Sequence, residues 1–434
     1  MVSELLKRSS SIITTKNVIQ KSGNINDWTF IKGFPSSSAG LNDFYLVKNN
    51  SVSGFMKTHL DTVKLPGKKY PLYSHIRMDI EQAIYTLTNN FVIGGMSPNF
   101  TLMYDSGHRI PFKDMNKFIT DGKINIEAEF LRNYTYLFCR STGRPSINTK
   151  GGVGVTDFCK NVFADKSYVR LNNNIYQIRM DFLKPVAKIE GTPSTGEIKK
   201  YLDSALKTDI DYGYIVLENM ETAKLNFTKM SSKEFWSYVY SMVYSIALLA
   251  KYGVSHNDLH LGNTAMATRR PNELKKMLYE YKGKKVLVEN YDNVIPRIFD
   301  YDRSAIYDMP NTDVRKFQEF SSPRDLMMFY CSLMASAPSA YKNDITKMFL
   351  NTPDMGGKII KDGTGNAYTV GGIETAYKAF NNLPYMNDYD TVIKGLSGKL
   401  TSGKDAVDIF EKQTSDKNML KINVFTTSVS INKS

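Results

Sequence analysis

Cysteine is scarce: Cys139, Cys159 and Cys331 are the only three in 434 residues. Scattered thiols in odd number exclude a disulfide framework and a cysteine-rich zinc module, and they fit a reducing compartment. Long apolar runs are also missing. The longest helical apolar stretch, about Val239 to Ala250, carries Tyr and Ser and is too short to cross a bilayer, so no transmembrane segment is expected. The opening stretch MVSELLKRSSSIITTK lacks the apolar core and small-residue cleavage site of a secretory signal. There is no repeat of fixed period, no dense basic block and no Arg-Gly repeat. A soluble protein of the cytoplasm is the expectation.

What is present is a globular composition, 42% apolar and 23% charged, which argues against wholesale disorder. At roughly 150 residues per domain the length suits two or three domains, or two lobes with insertions. Basic residues outnumber acidic ones, 56 to 43, for a net charge of +13. Such a surface attracts phosphate groups, whether on nucleotides, nucleic acids, phosphoproteins or lipids. The lysines are dispersed and aromatic residues are not interleaved with basic ones, so nucleic acid is not expected as the main partner.

Residues 1–27 read as a polar, loosely ordered arm. Trp28 to Leu60 reads as β-rich chain: WTFIKG, a Pro-Ser-Gly turn cluster, FYLVK and SGFMKTHL. Ser74 to Leu87 predicts a helix, with Ile76, Ile80, Ile84 and Leu87 on one face. Asn99 to Tyr104 and Tyr212 to Leu217 are strand candidates. Residues 105–205, with the cluster Gly151, Gly152 and Gly154, give no clear pattern. The strongest helix runs from Ser232 to Tyr252. Ser231 and Glu234 have capping-box spacing, Phe235, Val239, Met242, Val243, Ile246 and Leu249 form an apolar stripe, and Gly253 follows as a stop. Val294 to Phe299 is a further strand, and a helix is expected around Asn272–Lys282. Beyond Pro323 the pattern is helical, and the tail from Thr401 reads as a helix, a short strand and a polar end.

The chemistry concentrates just after Gly253, in His256-Asn257-Asp258-Leu259-His260-Leu261-Gly262-Asn263. A helix end, His-x-Asp, then Asn five residues beyond the Asp suits phosphoryl transfer. The carboxylate reaches an acceptor hydroxyl while the amide turns back to a magnesium ion on the phosphates. A His-capped loop with satisfied core polar groups is the bland alternative. Farther on, Phe299-Asp300-Tyr301-Asp302 puts a carboxylate at the end of an apolar strand, where it can bridge magnesium and phosphate oxygens. Surface carboxylates are the alternative there.

With both motifs in view, the chain resembles the protein-kinase-like superfamily in a divergent form. The variant HNDLHLGN is similar to Ser/Thr kinases of large DNA viruses and to the aminoglycoside-phosphotransferase, RIO and ABC1-like branches. The resemblance implies an α+β, bilobal fold. An antiparallel β N-lobe with one helix would span 28–220 with a large insertion at about 105–205. A mostly helical C-lobe with a C-terminal extension would span 221–434. It implies ATP and Mg2+ as cofactors, with Asp258 and His260 at the reacting end and Asn263 and Asp300 on the metal. Lys57, paired with Glu81, would fix the α/β-phosphates. Gly33 and Gly40 would bracket a phosphate-covering turn, although a plain Gly/Ser hairpin reads equally well. The backbone of Glu218 and Met220 would face adenine beside Leu217, and Asp325 matches a buried Asp that holds the catalytic loop, or a helix cap.

Departures accompany the resemblance. Asp302 stands where Gly is usual, His260 where Lys is usual and Asn257 where Arg is usual, and no Ala-Pro-Glu follows Asp300. The favoured reading is a Ser/Thr protein kinase of viral type, in the host cytoplasm or a virion, acting on protein hydroxyls. The Ser/Thr-rich ends, Ser9 to Ser11 and Thr426 to Ser430, are autophosphorylation candidates or simple polar tails. A small-molecule acceptor is the second reading, and a pseudokinase or structural binding module the third.

Overall fold

The computed structural model describes residues 24–34, 43–49, 52–63, 72–73, 78–111, 168–170, 177–179, 210–270, 273, 275–307, 321–363, 381–414 and 429–430. These form an α+β arrangement of mainly antiparallel sheets and seven α-helices. Residues 1–23, most of 105–205 with its glycine cluster, the turn carrying Ser36 to Ser38 and Gly40, and residues 308–320 lie outside the described residues.

Alternating apolar residues build the main sheet. Its strands are β1 (Thr29–Phe34), β2 (Asp43–Asn49), β3 (Val52–Val63), β4 (Leu72–Tyr73), β5 (Met103–Pro111) and, beyond the small hairpin β6 (Tyr168–Arg170) and β7 (Gln177–Arg179), β8 (Ile210–Glu218). The order is β1-β2-β3-β8-β5, with β4 on β3, all antiparallel. One face buries Tyr45, Val47, Met56 and Val216. Trp28 closes that face over Gly54, and its indole N–H donates to Asp105 Oδ2 at 2.9 Å. Lys57 belongs to the other face, which meets α1 (Met78–Ile93). This helix keeps the expected stripe of Ile80, Ile84 and Leu87 and extends past the expected end to Ile93.

The strand expected at Asn99–Tyr104 begins only at Met103. Residues 99–101 instead bond across to the second half of the molecule: Thr101 N–H donates to the Ile298 carbonyl and Ile298 N–H to the Asn99 carbonyl. The buried Asn99 amide explains this, since Nδ2 donates to the Pro296 carbonyl and Oδ1 accepts from Tyr279 Oη.

The central helix α2 (Ser232–Lys251) has the expected capping box, and Gly253 takes φ +71° beyond its end. Every residue from Phe235 to Leu249 is buried, so the helix is enclosed rather than one-sided. The serines make that possible. Ser241 and Ser245 hydroxyls donate to the carbonyls of Tyr238 and Ser241, which satisfies them inside an apolar shell.

After α2 come β9's partners and the loops of interest. β9 (Thr222–Ala223) pairs with β11 (Thr264–Thr268), which pairs with β14 (Val294–Ile298); β10 (Val254–Ser255) pairs with β15 (Ala305–Ile306). Between β11 and β14 the expected helix at 272–282 is absent. A hairpin stands there, β12 (Lys276–Tyr281) and β13 (Lys284–Glu289). Its cause is local: Lys282 and Gly283 take φ of +49° and +80°, a two-residue turn matched to strand twist. Val286 and Val288 favour strand, and Met277, Leu278 and Tyr279 bury against α2.

The helices α3 (Ser322–Ser336), α4 (Ser339–Phe349), α5 (Gly356–Gly363), α6 (Tyr389–Ser397) and α7 (Lys404–Thr414) complete the core around α2. A last strand, β16 (Val429–Ser430), lies parallel to β12. No helix among the described residues is long and apolar enough to cross a membrane.

Gly54 and Gly33 give a paired test of the sheet. A Cβ on Gly54 would lie 2.4 Å from Val216 Cγ1 and 3.3 Å from the Leu217 carbonyl oxygen, whereas one on Gly33 meets nothing nearer than 3.7 Å. Gly54→Ala should cost about 1–3 kcal/mol in urea denaturation through overpacking, while Gly33→Ala stays within about 0.5 kcal/mol of the parent.

Candidate active site

Two short antiparallel ladders place the two sequence motifs side by side. The His256–Asn263 loop runs from β10 to β11, and the Phe299–Ser304 segment runs from β14 to β15. Because β10 pairs with β15 and β11 with β14, each end of one loop is tied to an end of the other. Further bonds close the gap: Phe299 N–H donates to the Asn263 carbonyl, and the Ser304 hydroxyl to the His256 carbonyl.

Asp325, at the start of α3, grips the first loop. Its Oδ2 accepts the His256 N–H at 2.6 Å and its Oδ1 the Asn257 N–H at 2.7 Å. Burial pushes the Asp325 carboxyl up, opposed by His256 and by these two bonds. Asn257 takes φ +62°, a conformation that Asn tolerates well. Its side chain is held at both ends, accepting from Arg324 Nη1 at 2.8 Å and donating to the Arg303 carbonyl at 3.1 Å. Asn257 is thus a backbone anchor.

His256 is fully buried, and its Nε2 lies 2.9 Å from the Phe299 carbonyl, which can only accept, so the proton sits on Nε2. Burial lowers its pKa below the usual 6.5. The ring packs against Tyr301, centroids 5.1 Å apart, and Tyr301 packs edge-on against Tyr85 of α1 at 4.8 Å. The Tyr85 hydroxyl accepts the Asp300 N–H at 3.0 Å. A column of three rings therefore joins the loop, the second motif and the helix.

Lys57 stands at the centre. Its ammonium lies 2.9 and 3.2 Å from the two Glu81 oxygens and 2.7 Å from Asp300 Oδ1. Burial disfavours the Lys57 charge, yet Asp300 and then Glu81 raise its pKa above the usual value. Burial likewise disfavours the Asp300 anion, but Lys57 holds its pKa below the carboxylate norm. For Glu81 burial prevails and the pKa moves up despite Lys57. Asp300 takes φ +68° and keeps 34% of its side chain exposed, so it faces outward from this buried pair.

Asp258 lies on the neighbouring loop with its side chain largely buried. Arg303 Nη1 is 3.1 Å from its Oδ2, and His260 Nε2 is 3.6 Å from its Oδ1. Asn263 Nδ2 donates to the Asp258 carbonyl at 2.8 Å, which turns the amide oxygen the other way. His260 caps the turn at Leu261–Asn263 by accepting the Gly262 N–H on Nδ1 at 2.9 Å. Gly262 is needed there, since a Cβ would fall 2.6 Å from the His260 ring. Burial first, and Arg303 second, lower the His260 pKa. The donor set suits magnesium: the Asn263 amide oxygen and the Asp300 carboxylate are hard oxygens, and magnesium completes such a pair with water and phosphate oxygens. Among the described residues no group of three or more His, Cys, Asp or Glu would hold a metal by itself.

The strand face that carries Lys57 also carries Phe55, two residues earlier, and Phe44, opposite it. Their rings stack at 5.3 Å, and Phe34 joins Phe55 at 5.4 Å. These partly exposed rings form an aromatic surface that the sequence reading did not single out.

Lys57, Glu81, Asp258, His260, Asn263 and Asp300 are therefore brought together. Gly33 sits in exposed β1 opposite Tyr45, and Met220 follows the end of β8 with Thr101 Oγ1 3.4 Å from its sulfur. Glu218 has another role. Its N–H donates to the Leu102 carbonyl, and its carboxylate is locked with Arg270, Arg297 and Glu273 in a buried four-residue cage. Burial disfavours the Glu218 anion, but Arg270 and Arg297 lower its pKa overall. The cage ties β8, the β11–β12 connection and β14 together, and Arg270 also donates to the Phe100 carbonyl. Arg303, Tyr85 and this cage are the residues sequence reasoning missed. Tyr85 had a signal, one turn after Glu81; in the cage only Arg270 and Glu273 are local to each other, three residues apart, and Glu218 and Arg297 lie far from them in sequence.

No protein-family model matches the chain, and no curated protein matches it.

Two outcomes follow from this geometry. Arg297→Met leaves two buried carboxylates short of a partner and should remove about 3–5 kcal/mol of stability in urea denaturation. His256 has a folded pKa below its unfolded value near 6.5, so the stability it contributes is present above that pH and is lost as pH falls through the folded pKa. The unfolding free energy should decline from pH 7.5 to 5.5, and less steeply in His256→Gln; equal slopes would remove His256 from the account.

Proposed function

We propose that this chain is an ATP- and magnesium-dependent phosphotransferase with a bilobal, protein-kinase-like fold, acting on Ser/Thr hydroxyls of proteins. The observation that carries the reading is the double engagement of Lys57, by Glu81 from α1 and by Asp300 from the second motif, beside a loop that holds Asp258 and Asn263. Scattered carboxylates and a surface lysine would not converge in this way from β3, α1 and the β14–β15 turn.

In this reading Lys57 holds the α- and β-phosphates, and Glu81 fixes the direction of the ammonium. The aromatic surface of Phe34, Phe44 and Phe55 offers a base a flat apolar partner. Asp258 orients the acceptor hydroxyl and takes its proton as the oxygen attacks. Asn263 and Asp300 hold the metal, which when bound neutralises charge on the phosphate oxygens. Catalysis is then mainly positioning and electrostatic preorganisation, served by the buried grip of Asp325 and the ring column. Asn257 is occupied by Arg324 and Arg303, which speaks against activation through a phosphorylated loop at that position.

Transfer of labelled γ-phosphate from ATP to a generic basic protein tests the proposal. Wild type should label the acceptor, and Asp258→Ala should reduce the rate by about 10²–10⁴-fold. Magnesium-dependent ATP turnover without protein label, lost in Asp258→Ala, would move the acceptor to a small molecule. Absence of both activities in wild type would leave a pseudokinase or binding module.

A further inference from the structure

Among the described residues, the permanent positive charge paired with Asp258 comes from outside the loop motif. In the kinases this chain resembles, a Lys two residues past the catalytic Asp reaches the transferred phosphate; here that residue is His260. Its Nδ1 accepts the Gly262 N–H at 2.9 Å, which requires a lone pair on that nitrogen. A ring protonated on both nitrogens would set donor against donor. The turn that holds Asn263 is therefore built around a neutral His260.

Arg303 approaches the same carboxylate from the second loop, Nη1 3.1 Å from Asp258 Oδ2, and a guanidinium keeps its charge at every relevant pH. Its backbone is fixed: its carbonyl accepts Asn257 Nδ2 at 3.1 Å, and the next residue's hydroxyl donates to the His256 carbonyl at 3.2 Å. The side chain is 35% exposed, so a root anchored to the catalytic loop carries a head that reaches solvent.

We propose that Arg303 contacts the transferring phosphoryl group and supplies there the charge that His260 does not. The inference rests on the phosphotransfer reading above. The acceptor oxygen forms a bond to the γ-phosphorus while the bond from that phosphorus to the bridging oxygen breaks. The hydroxyl proton passes to Asp258 and the nucleoside diphosphate leaves with the bond's electron pair. Arg303 exchanges no proton. It moves from Asp258 to the phosphoryl oxygens, which frees the carboxylate for the hydroxyl.

The test uses the full chain with Arg303→Met and Arg303→Lys, so that failure of one variant to fold leaves the other. Turnover is measured against ATP concentration, and ATP and ADP affinities are measured by calorimetry without acceptor. For Arg303→Met, kcat should fall about 10²–10³-fold, with partial recovery in Arg303→Lys. ADP affinity should hold while the preference for ATP over ADP shrinks. An active wild type whose Arg303→Met keeps its kcat and its ATP preference overturns this inference and leaves the phosphotransfer reading intact. A kcat that rises in Arg303→Met also overturns it, making the ion pair a restraint on Asp258. A wild type that binds neither nucleotide sinks both together.

Discussion

The ammonium of Lys57 is where three parts of the chain meet. It comes from β3, its carboxylate partner Glu81 comes from α1, and Asp300 comes from the turn after β14. The ion pair with Glu81 is buried, and such a pair is costly to form unless its geometry is good and its remaining valences are filled. Both conditions hold, because Lys57 reaches both Glu81 oxygens and Asp300 takes a further donor position. The arrangement fixes the angle of α1 against the sheet and sets where Asp300 stands. Tyr85, one helical turn beyond Glu81, then accepts the Asp300 N–H and begins the ring column down to His256. Removing the lysine charge would strand two carboxylates and unfasten that sequence of contacts.

The loops depend on a second device, backbone conformations that most side chains avoid. Gly253, Asn257 and Asp300 all take positive φ, and each stands at a change of direction. Such conformations persist when surrounding bonds over-determine them. Around Asn257 those bonds are complete, with N–H to Asp325 and side-chain contacts to Arg324 and Arg303. The carboxylate of Asp325 thus holds a turn rather than a ligand, and its two oxygens match two consecutive N–H groups.

Much of this was legible in the sequence, where the signal was local. The capping box of Ser231 and Glu234, the stripe of α2 and the Gly253 stop lie within one stretch, and the structure reproduces them. The pair Lys57 and Glu81 was legible through the resemblance, which places a Lys on the third strand and a Glu on the helix that follows. The hairpin at β12–β13 was misread as helix because Met277, Leu278 and Tyr279 are consecutive buried residues, which erases the alternation that marks a strand. Glu218 was read through its backbone, as the end of a strand facing a base. Its side chain answers instead to Arg270 and Arg297, and no spacing rule links those positions to Glu218 before the fold exists.

The two clusters of buried charge differ in a way that bears on function. The cage pairs two arginines with two glutamates, and the Leu102 N–H and the carbonyls of Phe100 and Thr268 fill further positions. This charge-balanced cluster acts as a fastener between β8 and β14, with Arg297 Nε buried and without a hydrogen-bond partner among the described residues. Around Lys57 the balance is different. Among the described residues Glu81 and Asp300 pair with Lys57, Asp258 pairs with Arg303, and Asp302 lies close enough to act on Glu81. Burial, and after it the charges of Asp300 and Asp302, moves the Glu81 pKa upward against Lys57. On the phosphotransfer reading proposed above, the positive charge of a dication on a nucleotide would arrive at this carboxylate-rich edge beside Asp300.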